Sequence, residues 1–529
     1  MKTKIIVAII IGVAGSVIIK LTLLLILLTT LILGLGFLSL KRGDQYFDKG
    51  QYDDAISNYN KALEFITDSP EAYNNRGLAY YYKKQYNQAI SDFNKAIELN
   101  PKCYEAYHNR GRTYYKRGEY DKAMSDFNKA IKFESNIAKA YNSRGLIYFD
   151  KEQYDNAILD FNKAIKLNPK FSEAYNNRGL AYYDKEKYDQ AISDFNKAIE
   201  LNPELAEAYN NRGLAYYEKG QYDCAILDFN KAIELDPNNE NRYNNRGITF
   251  YDQGKYDNAI SDFNKSIELN SRFYEAYNNR GLAYYRKGEY DNAILDFNKA
   301  IELKPQSAEQ YNNRGLAYYD KGEFNKAILD FNKAIELDPE FATSYSNRGL
   351  VFHYKGQYDT AILDFNRAIE LNPELATAFN NRGILYYDKG QYDDAISDFD
   401  KAIELNPQLA EAYSNRGLIY YRKGEYNKVI SDCSKAIELN PNLSVAYANR
   451  GLAYHKKGEY EKAIHDYNKA IELKTEYAEV YFNKALVCEN TGKIDEAIDA
   501  YKKFISLTFE GDQDKIFALK RIKKLQKQK

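Results

Sequence analysis

Apolar residues in this chain follow two rhythms, one at the amino terminus and another over everything beyond it. Residues 21–40 carry no charge, and as a helix they span about 30 Å, the hydrocarbon thickness of a bilayer. They predict a transmembrane helix. Ahead of them, residues 5–19 form a shorter apolar run behind Lys2 and Lys4, shaped like a signal-peptide core, with a small-residue cleavage site at Val13-Ala14-Gly15. Residues 1–20 therefore read as a short signal-like segment and residues 21–40 as a retained anchor. The competing readings are a cleaved signal and a buried apolar helix. Lys2 and Lys4 on one side nearly balance Lys41, Arg42 and Lys49 on the other, so charge does not say which side the remainder faces.

Beyond the anchor the period becomes helical. Tyr73, Gly77 and Tyr80 fall at i, i+4 and i+7, and Ala89, Phe93, Ala96 and Ile97 share a face in the next segment, which predicts two amphipathic helices. Turns such as DKGQYD place Gly220, Gly356 or Gly390 where a helix end needs a positive φ. The second helix stops at Asn-Pro, as in Asn100-Pro101, because proline cannot continue it. The pair Arg-Gly then recurs at 42, 76, 110 and onward to 450, every interval being 34. At the fourteenth place it becomes Lys484-Ala485, and the sequence after it degenerates as a capping unit does. One pair of short helices cannot bury its apolar stripe, so stacked copies must bury it for each other. The expectation is fourteen tandem units over residues 38–508. Counted back in phase, the first unit begins near Phe37 and Leu38, still inside the apolar segment, so anchor and array should join as one rod. Residues 510–529 read as a basic capping helix, with Phe517, Leu519, Ile522 and Leu525 at helical spacing. A membrane or nucleic-acid contact through Lys520, Arg521, Lys523 and Lys524 is the alternative.

Composition narrows the function. With 74 Lys and Arg against 75 Asp and Glu, nothing draws the chain as a whole toward nucleic acid. Cys103, Cys224, Cys433 and Cys488 show no metal or disulfide spacing. His108, His353, His455 and His465 form no HExxH, and there is no Walker loop, GxSxG or GxGxxG. No catalytic, cofactor-binding or metal-binding residue and no small-molecule substrate is assigned. Five columns of the repeat, those of Tyr73, Tyr80, Tyr81, Tyr86 and Phe93, hold 63 of the 78 Tyr and Phe, so the aromatic surplus belongs to the scaffold.

The spacing of an aromatic four before a Gly, a Tyr three after it, then Ala, aromatic, Ala and Pro resembles the tetratricopeptide repeat. In residues 175–203 the matching positions are Tyr175, Gly179, Tyr182, Ala191, Phe195, Ala198 and Pro203. The resemblance implies an all-α, right-handed superhelical solenoid whose first helices line a concave groove for an extended peptide or partner helix. Carried onto this chain, the groove columns are those of Glu71, Asn74, Asn75, Leu78, Tyr81 and Tyr82. The Asn75 column continues as Asn109, Asn177, Asn211, Asn245, Asn279, Asn313, Asn347, Asn381, Asn415 and Asn449, with Ser143 as the exception. Such a row resembles the asparagine ladder with which some members hold a peptide backbone. The same residues also suit a purely structural role between helices. Tyr81, Tyr183, Tyr217 and Tyr285 belong to the aromatic groove column. Specificity is expected where copies differ: Arg112 for Leu, His353 and His455 for Tyr, and Lys116, Asp150, Glu218, Arg286 or Asp320 in the Tyr82 column. The Lys and Asn set with which some members clamp a terminal carboxylate occurs in no repeat.

The recurring arginine departs from the bulky apolar residue usual in that column. Unpaired and buried it would be costly, and an aspartate recurs with it from Asp92 to Asp466, becoming Asn58 in the first unit and Ala500 in the last. The pairs Arg178 with Asp194, Arg212 with Asp228, Arg280 with Asp296 and Arg314 with Asp330 are therefore expected to form a structural ladder. An arginine row for acidic ligands is the competing reading. The reading as a whole is a noncatalytic, membrane-anchored scaffold that binds a protein or extended peptide and touches the bilayer through its amino-terminal helix. A self-associating envelope component and an accessory module of a separate enzyme are its alternatives.

Overall fold

The computed structural model of the chain describes residues 2–509 and 513–527, with side chains from Val17 onward. Of the expected terminal segments, residue 1, the side chains before Val17, and residues 510–512 and 528–529 lie outside the described residues. Among the described residues there are 29 helices, numbered α1 to α29 in chain order, and no strand. They form a repeat solenoid divided into two compact units, one of fourteen helices ending at Leu269 and one of fifteen beginning at Asn270.

One period of the first unit is α9 (Ser172–Asp184) and α10 (Tyr188–Leu201), followed by α11 (Ala206–Glu218) and α12 (Tyr222–Leu235). At the turn after α11, Gly220 has φ 69°. Its N–H donates to the Tyr217 carbonyl and the Gln221 N–H to that of Tyr216, both at 2.8 Å, which satisfies two carbonyls at the helix end. In three copies Lys84, Glu152 and Glu186 take that place at φ 57–60°, a left-handed conformation costing about 1 kcal/mol without glycine's freedom. At the other end α10 gives way at Asn202, whose extended backbone leads into Pro203. The Asn202 side chain accepts the N–H of Glu204 at 3.2 Å, closing the turn.

The core is a row of small clusters rather than one centre. Ala191, Phe195 and Ala215 are fully buried together, and Ala215 comes from the following repeat, so each cluster fastens two copies. Gly179 lies flat against Phe195, and a Cβ there would sit 2.6 Å from the ring. In the first, thirteenth and fourteenth copies a tyrosine fills the phenylalanine position. Tyr59 donates to Asp44 at 2.8 Å and Tyr501 to Glu489 at 3.2 Å, while among the described residues the buried Tyr467 hydroxyl has no partner. Tyr467→Phe should therefore raise stability by about 1 kcal/mol, read as a higher denaturation midpoint for the carboxy-terminal repeats. The same change at Tyr59 or Tyr501 should lower it.

The amino-terminal helix α1 (Lys2–Asp48) is unbroken through residues 20 and 40. Its side chains are exposed from Val17 to Leu35, then Gly36 and Leu40 are buried where the helix meets α2 (Tyr52–Phe65) and the turn after it. A Cβ on Gly36 would come within 2.9 Å of Ile66, so this glycine permits the close approach. Among the described residues one helix, this one, is long and apolar enough to cross a membrane by length and composition. At the other end, α29 (Gln513–Gln526) buries Ala518, Ile522 and Leu525 in the last cluster. Arg521 pairs with Glu489 there, while Lys520, Lys523 and Lys524 face outward.

Candidate functional site

From Arg76 to Arg450 each recurring arginine stands on the first helix of its repeat and bonds the aspartate of its own second helix, and most also reach the second helix of the preceding repeat. Arg178 on α9 donates from Nε and Nη2 to Asp194 at 2.7 and 2.6 Å, and from Nη1 to Asn162 of the preceding repeat at 2.5 Å. Its guanidinium also lies over the Tyr175 ring at 5.5 Å. The pattern is the same for Arg212 with Asp228 and Asn196, and for Arg314 with Asp330 and Asn298. Arg280 makes the same two bonds to Asp296. Burial lowers the Arg178 pKa, but the bonds from Asp194 and its charge outweigh that and hold it above its ordinary value. Three of the five N–H groups of the Arg178 fork are directed at fixed acceptors within the scaffold.

The carboxamide row lies on the same helices, one residue before the arginines. Asn109 donates to Asn74, Asn177 to Asn142 and Asn211 to Asn176, each at 3.0 Å, and Asn245 to Asn210 at 3.2 Å. In the second unit Asn313 donates to Asn278, Asn347 to Asn312 and Asn415 to Asn380, while Asn381 and Asn449 reach Ser346 and Ser414. At the start of the array Asn75 donates to Asp44. Asn279 holds the same place on α15 (Tyr274–Arg286). The acceptor asparagines are buried except Asn210, and the donors are half-buried except Asn109 and Asn449, which are buried. One bond is spent between neighbouring first helices, which leaves each donor amide a second N–H and acceptor capacity.

The Tyr81 column makes a third row. Tyr183 donates to Glu218 at 3.3 Å, Tyr217 to Asp252 at 2.5 Å, and Tyr285 to Asp320, while His353 meets Asp388 at 2.7 Å. Burial and, for Tyr217, the adjoining Asp252 carboxylate raise the phenol pKa, so these groups act as donors. Tyr81 differs: the Arg112 guanidinium stands over its ring at 4.9 Å. That contact borders a cavity of about 360 Å³ whose lining includes Tyr81, His108, Arg112, Lys116, Lys139 and Ser143. His108 is 8% exposed, and its Nε2 lies 3.1 Å from the Ser143 hydroxyl. Among the described residues no group of three or more His, Cys, Asp or Glu is placed to hold a metal ion.

A family model described as "TPR repeat" matches residues 43–84, 111–151, 145–185, 179–220, 213–254, 247–288, 281–322, 315–356, 349–390, 385–424 and 451–492. Models described as "Tetratricopeptide repeat" match residues 70–103, 93–124, 410–443, 433–465 and 478–510. The chain belongs to the tetratricopeptide repeat family. No curated protein sequence matches it. Solved structures of similar tetratricopeptide architecture include the APC/C hetero-tetramer Cut9-Hcn1, at 17% identity and TM-score 0.47 over 91% of this chain and 95% of that one. Yeast Tom70 aligns at 20% identity and TM-score 0.36 over 93% and 96%. YrrB, titled a TPR protein with an unusual peptide-binding site, aligns at 26% identity and TM-score 0.28 over 34% and 92%.

Within this tetratricopeptide framework the sequence reading passed over two residues. Arg242, where other copies carry mostly Ala, is 2% exposed and pairs with Asp236 at 2.6 Å. His108, where most copies carry Asn, replaces one rung of the amide row together with Ser143. Burial, reinforced by the Arg112 charge and opposed by a hydrogen bond with the Lys139 backbone, pushes the His108 pKa down to about 4. An unfolded histidine takes its proton near its ordinary value of 6.5, so acidification from there to about 4 stabilises the unfolded chain alone. This costs up to about 3 kcal/mol across that window and nothing above it. His108→Asn should remove that portion of the acid sensitivity, which paired denaturation curves against pH would show as a difference confined to the window.

Proposed function

We propose that the chain is a membrane-anchored, noncatalytic scaffold that holds an extended segment of another protein along its first helices. The tetratricopeptide repeat is a protein-interaction module, and the finer reading is supported by one contrast. The arginine, aspartate and glycine columns that fasten the helices scarcely change from copy to copy. The Leu78, Tyr81 and Tyr82 columns on the first helices do change, through Arg112, His353, Lys116, Arg286 and Tyr354 among others. The Asn75 row, with an amide N–H to spare at rungs such as Asn177, Asn211 and Asn245, supplies donors at a regular rise that suits a peptide backbone of any sequence. Anchoring is supported by α1, exposed and apolar before it enters the first repeat without a break.

Both parts are tested on the full chain in lipid vesicles. Alkaline carbonate should leave it in the membrane, and Leu25→Arg with Leu28→Arg should release it. Labelled peptide pools with randomised uncharged sequences should bind it saturably, and replacing Asn177, Asn211 and Asn245 by Ala should abolish most of that binding at a temperature where the variant, less stable because Asn142, Asn176 and Asn210 lose their donors, is still folded by its helix content. Carbonate release of the unaltered chain ends the anchor, and absence of any peptide binding ends the groove. Self-association is a second reading, favoured by Leu295, Leu329 and Leu363, which stand 65–69% exposed at equivalent sites on second helices of three consecutive repeats. It predicts a sedimentation coefficient that rises with concentration in detergent and stops rising when the three are changed to Ser.

A further inference from the structure

In an array whose copies are nearly interchangeable, departures that gather in one place have a local cause. The third and fourth repeats hold such a gathering. Arg112 on α5 (Tyr104–Lys116) is the one cation in a column that, after Asp44 of the first repeat, is otherwise Leu and Ile. Lys139 on α7 (Ala138–Asp150) is the one cation in a column that is mostly Glu. Lys116 stands where half of the copies carry an acid, and Ser143 is the one replacement of Asn in its row after the first repeat. These residues come from two helices and line a single cavity of about 360 Å³, together with Glu173.

The geometry points to a subsite in which Arg112, Lys116 and Lys139 receive a carboxylate side chain, Asp or Glu, of an extended partner segment lying along the first helices. The inference rests on the groove reading above and names the chemistry of one of its pockets. Among the described residues none of the three cations belongs to an ion pair, although Arg117 beside them pairs with Glu119 and Lys151 with Asp121. Arg112 is held by its contact with the Tyr81 ring, which orients the fork without neutralising it. His108 is spent on Ser143, and the short serine in place of Asn leaves room beside it. Three cations against Glu173 give the cavity a net positive charge in a chain whose formal net charge is −1, so the attraction is a local property of this pocket and not of the chain as a whole. A guanidinium fork with two flexible ammonium groups matches a planar carboxylate.

The test uses the full chain in detergent and labelled peptide pools in which one central position is fixed as Glu, Gln or phosphoserine and the flanks are random uncharged residues. The Glu pool should bind about tenfold more tightly than the Gln pool at low salt, and the advantage should shrink as salt rises. Arg112→Leu with Lys139→Glu restores the residues most copies carry and should fold. It should bind both pools alike, at the affinity the unaltered chain shows for Gln, and Arg112→Met should give an intermediate loss. Equal binding of the Glu and Gln pools by the unaltered chain overturns the subsite while leaving the groove standing, and so does a preference that survives the double substitution. A phosphoserine pool binding more than tenfold above the Glu pool overturns the carboxylate assignment. Binding of no pool removes the groove itself, and the subsite with it.

Discussion

Replacing Arg178 with Met should destabilise the repeats around it by about 3 kcal/mol. The substitution keeps the apolar stem and removes the fork, so Asp194, whose side chain is 8% exposed, loses both strong donors. A carboxylate left buried without its partner costs about 3–5 kcal/mol, and the lower figure applies because Asp194 can take up a proton once the arginine is gone. Asn162 loses its donor as well, which unties the preceding repeat. Because each copy touches only its neighbours, the damage should be local. Amide exchange should quicken in α8 (Tyr154–Leu167), α9 and α10, and remain unchanged several repeats away. The decisive companion is Arg178→Met with Asp194→Leu, which should recover stability to within about 1 kcal/mol of the original, since an apolar pair can replace a buried ion pair. If the single substitution left exchange untouched, the arginines would be unnecessary to the scaffold, and their service to an acidic ligand would become the better reading.

Phe195→Ala should cost about 3–5 kcal/mol, because the ring is fully buried and shared by two repeats. Gly179→Ala should cost about 1–3 kcal/mol by the opposite fault, a methyl group pressed to within 2.6 Å of that ring. The two changes together should cost less than their sum, since the smaller residue at 195 makes room for the methyl at 179. The twelfth repeat already contains half of this experiment. Cys433 stands in the ring's place, Val429 replaces the usual Ala beside it, and a Cβ on Gly417 would meet the Cys433 sulfur at 3.0 Å. Gly417→Ala should therefore lose less than about 1 kcal/mol, the crowding being partly offset by alanine's better helix propensity. Chemical denaturation of the four variants side by side would establish the order.

The repeat unit was legible because its signals are local and recur. Gly220 and Asn202-Pro203 mark helix ends wherever they stand, and the constant interval identifies every later copy. The partners of the polar side chains were less legible. A period of 34 says which residues are equivalent but not which of them touch. Asn177 finds its acceptor 35 residues earlier, at Asn142, and Arg178, besides the Asp194 that recurs with it, reaches 16 residues back to Asn162. Both bonds cross from one copy to its neighbour, and no single copy encodes them. Once the offset of 35 is known, His108 and Ser143 stand out as a paired departure from one rung. Read column by column, they were an isolated histidine and an exception to a row.

The staple that binds each first helix to the second helices on either side of it has one more consequence. Removing residues 179–212 would join Arg178 to Gly213, and Arg178 would then face Asp228 in surroundings almost indistinguishable from those it has with Asp194. The fold is indifferent to how many copies stand between its ends, so a gene built this way can shed or double a period without the protein registering a fault. What fixes the length of such a chain must lie outside its own stability, in the reach its occupant demands. Among the interior copies, those that carry His108 and Ser143 are the hardest to replace by a neighbour.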